Sequence, residues 1–116
     1  MELETRELAH KTAELASYKQ ASDILLLDVT DIASFADYLL ILTADSTRQM
    51  NAIKEDIVKS LAEVDMRLGH QEGTADSGWI LLDYGDVIIH IFAPEEREIY
   101  RLERLWSQRL PVIRFQ

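Results

Sequence analysis

The chain has 116 residues, of which 47% are hydrophobic and none is cysteine, so we expect one folded domain without disulfides or cysteine-ligated metal. Its 21 acidic residues outnumber its 12 basic ones, which gives a net charge of −9. That sign disfavours direct binding to nucleic acid, because phosphates attract a surplus of Lys and Arg. Residues 1–93 hold 17 of the acids and 7 of the bases, so the body of the domain is acidic.

The start of the chain, MELETRE, is acidic, whereas an import peptide is basic and a signal peptide carries a long apolar stretch. No apolar run approaches the ~20 residues that span a bilayer. The sequence therefore predicts a cytoplasmic protein with no membrane association. An acidic surface is steered toward basic proteins, although it also serves simple solubility.

The first half of the chain predicts a helix, two strands and a second helix. Apolar residues at helical spacing predict a helix over residues 1–19 that packs on a sheet. Short aliphatic runs bounded by Asp predict buried strands at residues 23–29 and 37–42. Ser46 opens an S-x-x-Q capping box, which predicts a helix over residues 46–64.

The second half predicts an edge strand at residues 66–72, a β-hairpin at residues 79–92 and a helix at residues 94–106 that begins with Pro94. Beyond residue 106 the apolar periodicity is lost, and Pro111 interrupts any simple continuation. This order predicts an α/β (α+β) fold. We expect a single domain over residues 1–116 with a mixed sheet of about five strands and helices packed on it, a nucleotidyltransferase-like architecture without the catalytic residues.

The hairpin sequence GWILLDYGDVIIHIF alternates with period two. A turn at Tyr84 and Gly85 would create three cross-strand pairs on one face: Trp79 with His90, Leu81 with Ile88, and Asp83 with Asp86. The purely aliphatic face is the predicted core side: Ile80, Leu82, Val87, Ile89 and Ile91. Two acids directly opposite each other cost stability unless water or a basic ligand relieves them, so the mixed face is predicted to bind a basic protein.

Eight residues are candidates for protein binding: Trp79, Leu81, Asp83, Tyr84, Asp86, Ile88, His90 and Glu103. Several have a structural alternative, since Trp79 could be core, His90 a buried hydrogen-bonding residue and Asp83 a turn acceptor. Tyr84 is expected to be exposed at the turn. On the last helix, Tyr100 and Trp106 are expected to pack, whereas Glu103 is expected to face solvent or a partner.

Motifs along the chain match one known family. D-I-x-x-L-D-V occupies residues 23–29 and A-D-Y residues 36–38, and Ser46, Arg48 and Gln49 match an S-x-R-Q motif. The most specific signature, E-G…G-W-x-L-L-D-Y-G-D-V-x-x-H-x-F followed by R-E-x-Y-x-L-E-x-L-W, is present in full within residues 72–106. With these motifs the chain resembles the RsfS/Iojap family of ribosomal silencing factors over most of its length.

The resemblance implies a translation repressor that binds large-subunit ribosomal protein fourteen, a small basic barrel on the face where the subunits meet. Occupying that face blocks association with the small subunit, and the family is also linked to large-subunit maturation. The implied mechanism is steric and needs no cofactor, metal or catalytic residue. Trp79 would anchor the interface, while Asp83 and Asp86 pair with Lys or Arg of the partner.

Two alternatives remain at this point. A nucleotidyltransferase-like enzyme needs a Gly-Ser phosphate clamp and carboxylates that hold Mg²⁺, commonly as D-x-D. Here Asp28 and Asp31 are three apart and no Gly-Ser pair precedes them, which disfavours this alternative. The second alternative is a homodimeric interaction module that uses the same hairpin face, and the sequence leaves it open.

Overall fold

The computed structural model describes residues 4–31, 33–106 and 111–115, and at residues 105–106 and 111–115 it describes the backbone. The elements in chain order are α1 Thr5–Tyr18, β1 Ser22–Asp28, β2 Tyr38–Thr43, α2 Thr47–Ala62, β3 His70–Glu72, a 3₁₀ turn Ala75–Ser77, β4 Trp79–Asp83, β5 Val87–Phe92, α3 Pro94–Tyr100, a 3₁₀ turn Leu102–Trp106 and β6 Pro111–Phe115. Residues 1–3 of the helix predicted at 1–19 lie outside the described residues.

The six described strands form one mixed sheet in the order β3-β4-β5-β2-β1-β6. Strands β2 and β5 run parallel, and every other neighbouring pair is antiparallel. The predicted α/β class, with a single domain and helices packed on a mixed sheet, is confirmed. Strand β6 lies at the edge beside β1 and begins with Pro111, a position where the missing N–H of proline is tolerated.

Helices α1 and α2 pack on one face of the sheet and form the main core with it. The buried positions of α2 recur every three or four residues: Met50, Ile53, Ile57 and Leu61. The aliphatic side of the hairpin lies in the same core, as predicted: Ile80, Leu82, Val87, Ile89 and Ile91. Strand β2 is buried along its whole length because it lies in the middle of the sheet.

The start of α2 differs in one detail from the predicted capping box. The Ser46 hydroxyl accepts a hydrogen bond from the Gln49 backbone N–H at 3.0 Å, as expected for an N-cap. The Gln49 side chain, however, accepts from the backbone N–H of Asp45 at 2.6 Å rather than from that of Ser46. Its amide nitrogen donates to the backbone carbonyl of Gln20 at 3.1 Å, so the same side chain also ties α2 to the end of α1.

The predicted hairpin register is wrong by two residues. Asp83 lies opposite Ile88, not opposite Asp86, and the Tyr84 N–H donates to the Val87 carbonyl at 2.9 Å around a turn at Gly85 and Asp86. Gly85 has φ of 85°, which suits the first central residue of a two-residue hairpin turn. Because a shift of two preserves the alternation, each residue that lies within a strand keeps its predicted face.

The last helix is shorter than the predicted 94–106. α3 ends at Tyr100 because Arg101 adopts a left-handed conformation with φ of 46°, and a 3₁₀ turn follows. The edge strand predicted at 66–72 is also shorter and comprises His70–Glu72. The side chain of Trp106, which was expected to pack, lies outside the described part of the chain.

Candidate protein-binding site

The hairpin presents its second face on the side of the sheet away from α1 and α2. We call five of the residues on it the open face: Trp79, Leu81, Asp83, Ile88 and His90. The side chains of all but His90 are partly exposed. An indole, aliphatic groups and a carboxylate on one surface are typical of the centre of a protein-binding site with a polar rim.

Trp79 is held by a hydrogen bond and by ring contacts. Its indole Nε1–H donates to Nδ1 of His90 at 3.1 Å. The Trp79 ring centroid lies 4.9 Å from that of Phe92, the residue directly opposite in the ladder, and 4.6 Å from that of Tyr100 on α3. Such aromatic pairs contribute about 0.5–1.5 kcal/mol beyond their buried area. The indole is therefore fixed in one orientation, which reduces the side-chain entropy lost on binding.

His90 is the buried member of the open face, at 7% exposure. Burial lowers the pKa of His90 to about 4, so the imidazole is neutral near pH 7. Its Nδ1 accepts from the indole, which requires the tautomer with the proton on Nε2. The observed contact of His90 is thus internal: it orients Trp79.

Two carboxylates lie near the hairpin turn, Asp83 on the open face and Asp86 beside the start of α1. Asp83 accepts a hydrogen bond from the Gly85 backbone N–H at 2.8 Å, and Asp86 is exposed in the turn, with Oδ2 3.5 Å from the Thr5 hydroxyl. Because Asp83 lies opposite Ile88, the predicted repulsion between directly paired acids does not exist. Within the described residues, no Lys or Arg side chain forms an ion pair with either carboxylate, so both are available to a basic ligand.

A pocket of about 270 Å³ opens beside Trp79, toward the β3 edge of the sheet, and extends the open face. Its lining residues are Glu72, Gly73, Ser77, Trp79, Leu81 and Tyr100. Gly73 has φ of 79°, and a Cβ at this position would clash with the backbone oxygen of Trp79. Tyr100 packs against Trp79 as expected, with the two rings tilted, yet it stays 51% exposed and forms one wall of the pocket.

Comparison with known proteins identifies the family. The family model described as "Ribosomal silencing factor during starvation" matches residues 2–116. The chain belongs to this RsfS family. A Bacillus subtilis (strain 168) protein named ribosomal silencing factor RsfS is 41% identical over 89 residues, which cover 77% of this chain and 75% of that protein. The motif-based resemblance is thereby confirmed.

Two further relatives of this RsfS-family chain extend the comparison. A Mus musculus protein named mitochondrial assembly of ribosomal large subunit protein 1 is 33% identical over 98 residues, which cover 82% of this chain and 43% of that protein. A crystal structure of a Chromobacterium violaceum protein has a TM-score of 0.85 at 30% identity, covering 90% of this chain and 88% of that one. The RsfS family comprises ribosome-associated regulatory factors and not enzymes.

The placement of Tyr84 corrects a prediction. Tyr84 is 9% exposed and belongs to the core under the helices, not to an exposed turn. The physical reason is that the strand alternation continues one residue past β4, so Tyr84 follows Ile80 and Leu82 onto the core face. Burial raises the pKa of Tyr84 to about 12. Tyr84 therefore lies on the core side of the hairpin and not on the open face.

Glu103 was expected to face solvent or a partner, and the structure shows an internal contact. Its Oε2 accepts from Nε of the buried Arg97 at 3.2 Å. The Arg97 guanidinium also donates through Nη1 to the Asp23 carbonyl at 2.9 Å and to the Thr43 hydroxyl at 3.0 Å. Arg97 thus ties α3 and the following turn to the ends of β1 and β2. Glu103 belongs to this contact and not to the open face.

Two other kinds of feature, a metal-binding cluster and a membrane-spanning helix, are absent from the described residues. In residues 4–31 and 33–104, no group of three or more His, Cys, Asp or Glu side chains could hold a metal ion. Among the described helices, none has the length and apolar character needed to cross a lipid bilayer.

Proposed function

We propose that this RsfS-family chain represses translation in the cytoplasm by binding large-subunit ribosomal protein fourteen through the open face. The bound domain then occupies the surface on which the small subunit would dock. An interface of ordinary size covers about 800 Å² per partner, and the whole domain exposes 6786 Å². A single face of the sheet can therefore carry the complex, and the mechanism needs steric exclusion alone.

The observation that carries this proposal is the fixed, partly exposed indole of Trp79. Binding energy concentrates in a few aromatic or Arg residues that lose water at the centre of an interface. Trp79 is oriented before binding by His90, Phe92 and Tyr100, and Leu81 lies beside it on the same face. This arrangement fits an anchor better than a residue needed for the main core, which lies on the opposite side of the sheet.

Charge supports a basic partner. The chain carries a net charge of −9, and two carboxylates lie at this end of the hairpin, Asp83 on the open face and Asp86 in the adjoining turn. Opposite charges steer association and set orientation, and their contribution weakens as salt screens them. We therefore propose that binding depends on ionic strength. We also propose that the same contact accompanies maturation of the large subunit.

The test is co-sedimentation of the purified protein with isolated large subunits, followed by addition of small subunits. Binding that lowers the yield of joined ribosomes supports the proposal. Failure to bind large subunits refutes it, and binding without an effect on joining refutes the silencing mechanism while keeping the maturation role.

A charge variant sharpens this test. Asp83→Asn keeps an oxygen that can accept from the Gly85 N–H but removes the negative charge, so the turn should stay intact. Combined with Asp86→Asn, it should slow association with ribosomal protein fourteen and flatten the salt dependence. The matched control combines Glu14→Gln and Glu55→Gln, which remove two exposed charges from α1 and α2 at the other face of the sheet. An equal effect of the control would assign the salt dependence to net charge and not to the open face.

A homodimer through the open face remains the alternative partner. Two copies that each carry a net charge of −9 repel each other, which favours a basic ribosomal protein over self-association. Sedimentation at several concentrations, with and without ribosomal protein fourteen, separates the two. Competition between dimer and complex would show that one surface serves both.

A further inference from the structure

The pocket beside Trp79 has two aromatic walls and an acidic rim. The Trp79 and Tyr100 rings lie 4.6 Å apart between centroids and are tilted by 47°. The Glu72 carboxylate lines the same pocket from the edge strand β3. We propose that this pocket takes one arginine side chain of the basic partner, an inference that rests on the proposed function and names the chemistry that its surface recognises.

The Glu72 carboxylate is positioned for an external cation. The side chain of Glu72 is 68% exposed. Among the described residues, its ion-pair partner is His70, whose Nε2 lies 3.3 Å from Oε2 of Glu72. Among the described residues, neither Lys nor Arg lines the pocket. An acidic group beside aromatic rings, with no described Lys or Arg against it, leaves a place that a positively charged ligand complements.

The shape and chemistry of the walls select arginine over lysine. A guanidinium is planar, so it stacks on an aromatic ring while its N–H groups donate to a carboxylate in a paired, planar geometry. A lysine ammonium is more strongly hydrated and cannot stack in this way. Trp79 and Tyr100 supply the ring surface, and Glu72 supplies the acceptor.

The volume fits a whole side chain and not merely its tip. The pocket holds about 270 Å³, several times the ~30 Å³ that one water occupies in the liquid. Gly73 contributes no side chain, and Leu81 gives an aliphatic wall suited to the methylene stem of arginine. The methylene stem would lie against Leu81, and the guanidinium would lie against the aromatic rings and Glu72.

The first experiment measures binding of the full chain to purified ribosomal protein fourteen by calorimetry. Glu72→Gln should weaken binding roughly tenfold, since it removes the charge from the hydrogen bond to the guanidinium. Tyr100→Leu, which keeps an apolar wall without a ring face, should weaken it by about threefold to tenfold. The charge-matched control Glu55→Gln on α2 should change affinity less than about twofold.

The second experiment probes the isolated chain directly. N-acetyl-arginine amide is titrated into the protein while the indole N–H resonance of Trp79 is followed by NMR. We expect a saturable shift that is weaker with the lysine analogue, absent with the norleucine analogue and lost in Glu72→Gln. Equal shifts with the norleucine analogue would mean that the pocket takes an apolar side chain, which overturns the inference.

The two proposals fail in different ways. If Trp79→Ala abolishes binding to ribosomal protein fourteen while Glu72→Gln and Tyr100→Leu bind like the unaltered chain, the arginine pocket is refuted and the proposed function stands. If the unaltered chain binds neither that protein nor large subunits, the proposed function fails. The arginine titration then still decides whether the pocket recognises a guanidinium.

Discussion

The indole of Trp79 and the imidazole of His90 are hydrogen-bonded at 3.1 Å although they do not face each other in the β-ladder. The register pairs Trp79 with Phe92 and Leu81 with His90, so the contact runs diagonally across the hairpin. It joins a partly exposed side chain to a buried one. Protonation of Nδ1 would remove the acceptor and leave a charge in a buried position, so the orientation of Trp79 depends on a neutral imidazole.

We therefore expect the protein to lose stability as the pH falls from about 7 to about 4. The pKa of His90 is about 4 in the folded protein, below its ordinary value of 6.5, so the unfolded chain binds more protons in this window. The free energy of unfolding should be highest above pH 6.5 and fall by up to about 3 kcal/mol through the window. Urea unfolding at pH 7, 6 and 5 measures it. His90→Asn should lack this component, and an unchanged pH slope in that variant would contradict the assignment.

Truncation of the anchor should affect binding more than folding. Trp79→Ala should weaken binding to ribosomal protein fourteen by about 2 kcal/mol or more, because an oriented aromatic anchor is lost. The domain should remain folded, since Trp79 lies outside the main core, although the loss of the ring contacts with Phe92 and Tyr100 lowers the thermal midpoint. Calorimetric binding and thermal unfolding are compared on the same samples. Intact binding with a collapsed midpoint would show that Trp79 is a core residue.

Arg97 should contribute more to the stability of the folded protein than the partly exposed Arg101 that follows α3. Arg97→Met should lower the free energy of unfolding by about 2–3 kcal/mol, because it leaves Glu103 without its partner and removes two hydrogen bonds to β1 and β2. The matched control is Arg101→Met, whose guanidinium is 41% exposed and pairs with Glu98 within one turn. This control should cost less than about 0.5 kcal/mol. Similar losses in urea unfolding would contradict the role assigned to Arg97.

The faces of the hairpin could be predicted from the sequence, whereas its register could not. Alternation alone assigns Ile80 and Leu82 to the core, and this assignment survives any even shift. The register depends on which two residues form the turn, and Gly85 could occupy either central position by composition. Tyr84 was placed wrongly because an aromatic residue next to a turn glycine gives no sign that the alternation continues through it.

Contacts between distant segments were also beyond sequence reasoning. Tyr100 reaches Trp79 because α3 follows β5 and folds back over the hairpin, which no spacing in the sequence indicates. The sequence predicts that Pro111 interrupts the preceding helical pattern. In the structure Pro111 begins an edge strand, where a missing N–H costs nothing if that side of the strand is unpaired. In both cases the local residues permit several structures, and tertiary packing selects one.

Gly73 and Gly85 allow a matched test of backbone crowding at the pocket. Both have positive φ, but a Cβ at Gly73 would clash with the Trp79 backbone oxygen, whereas one at Gly85 meets no atom within 4 Å. Gly85→Ala should therefore cost about 1 kcal/mol of backbone strain. Gly73→Ala should cost clearly more and also weaken partner binding, because β3 must move away from β4. Equal losses in chemical unfolding would refute the close approach.

Removing the Tyr84 hydroxyl should leave stability unchanged or raise it. The oxygen is buried and has no hydrogen-bond partner among the described residues, so the folded state carries a desolvation cost for it. Burial also raises the pKa of Tyr84 to about 12, since the ionised phenol is disfavoured there. Tyr84→Phe keeps the ring against the core and should change the free energy of unfolding by about 0 to +1 kcal/mol.

The comparison variant is Tyr38→Phe, at a second tyrosine of the same buried cluster with the same exposure of 9%. A loss of more than about 1 kcal/mol in the free energy of unfolding of Tyr84→Phe would mean that the hydroxyl forms a hydrogen bond in solution. Unchanged binding of this variant to ribosomal protein fourteen would support the placement of Tyr84 outside the open face.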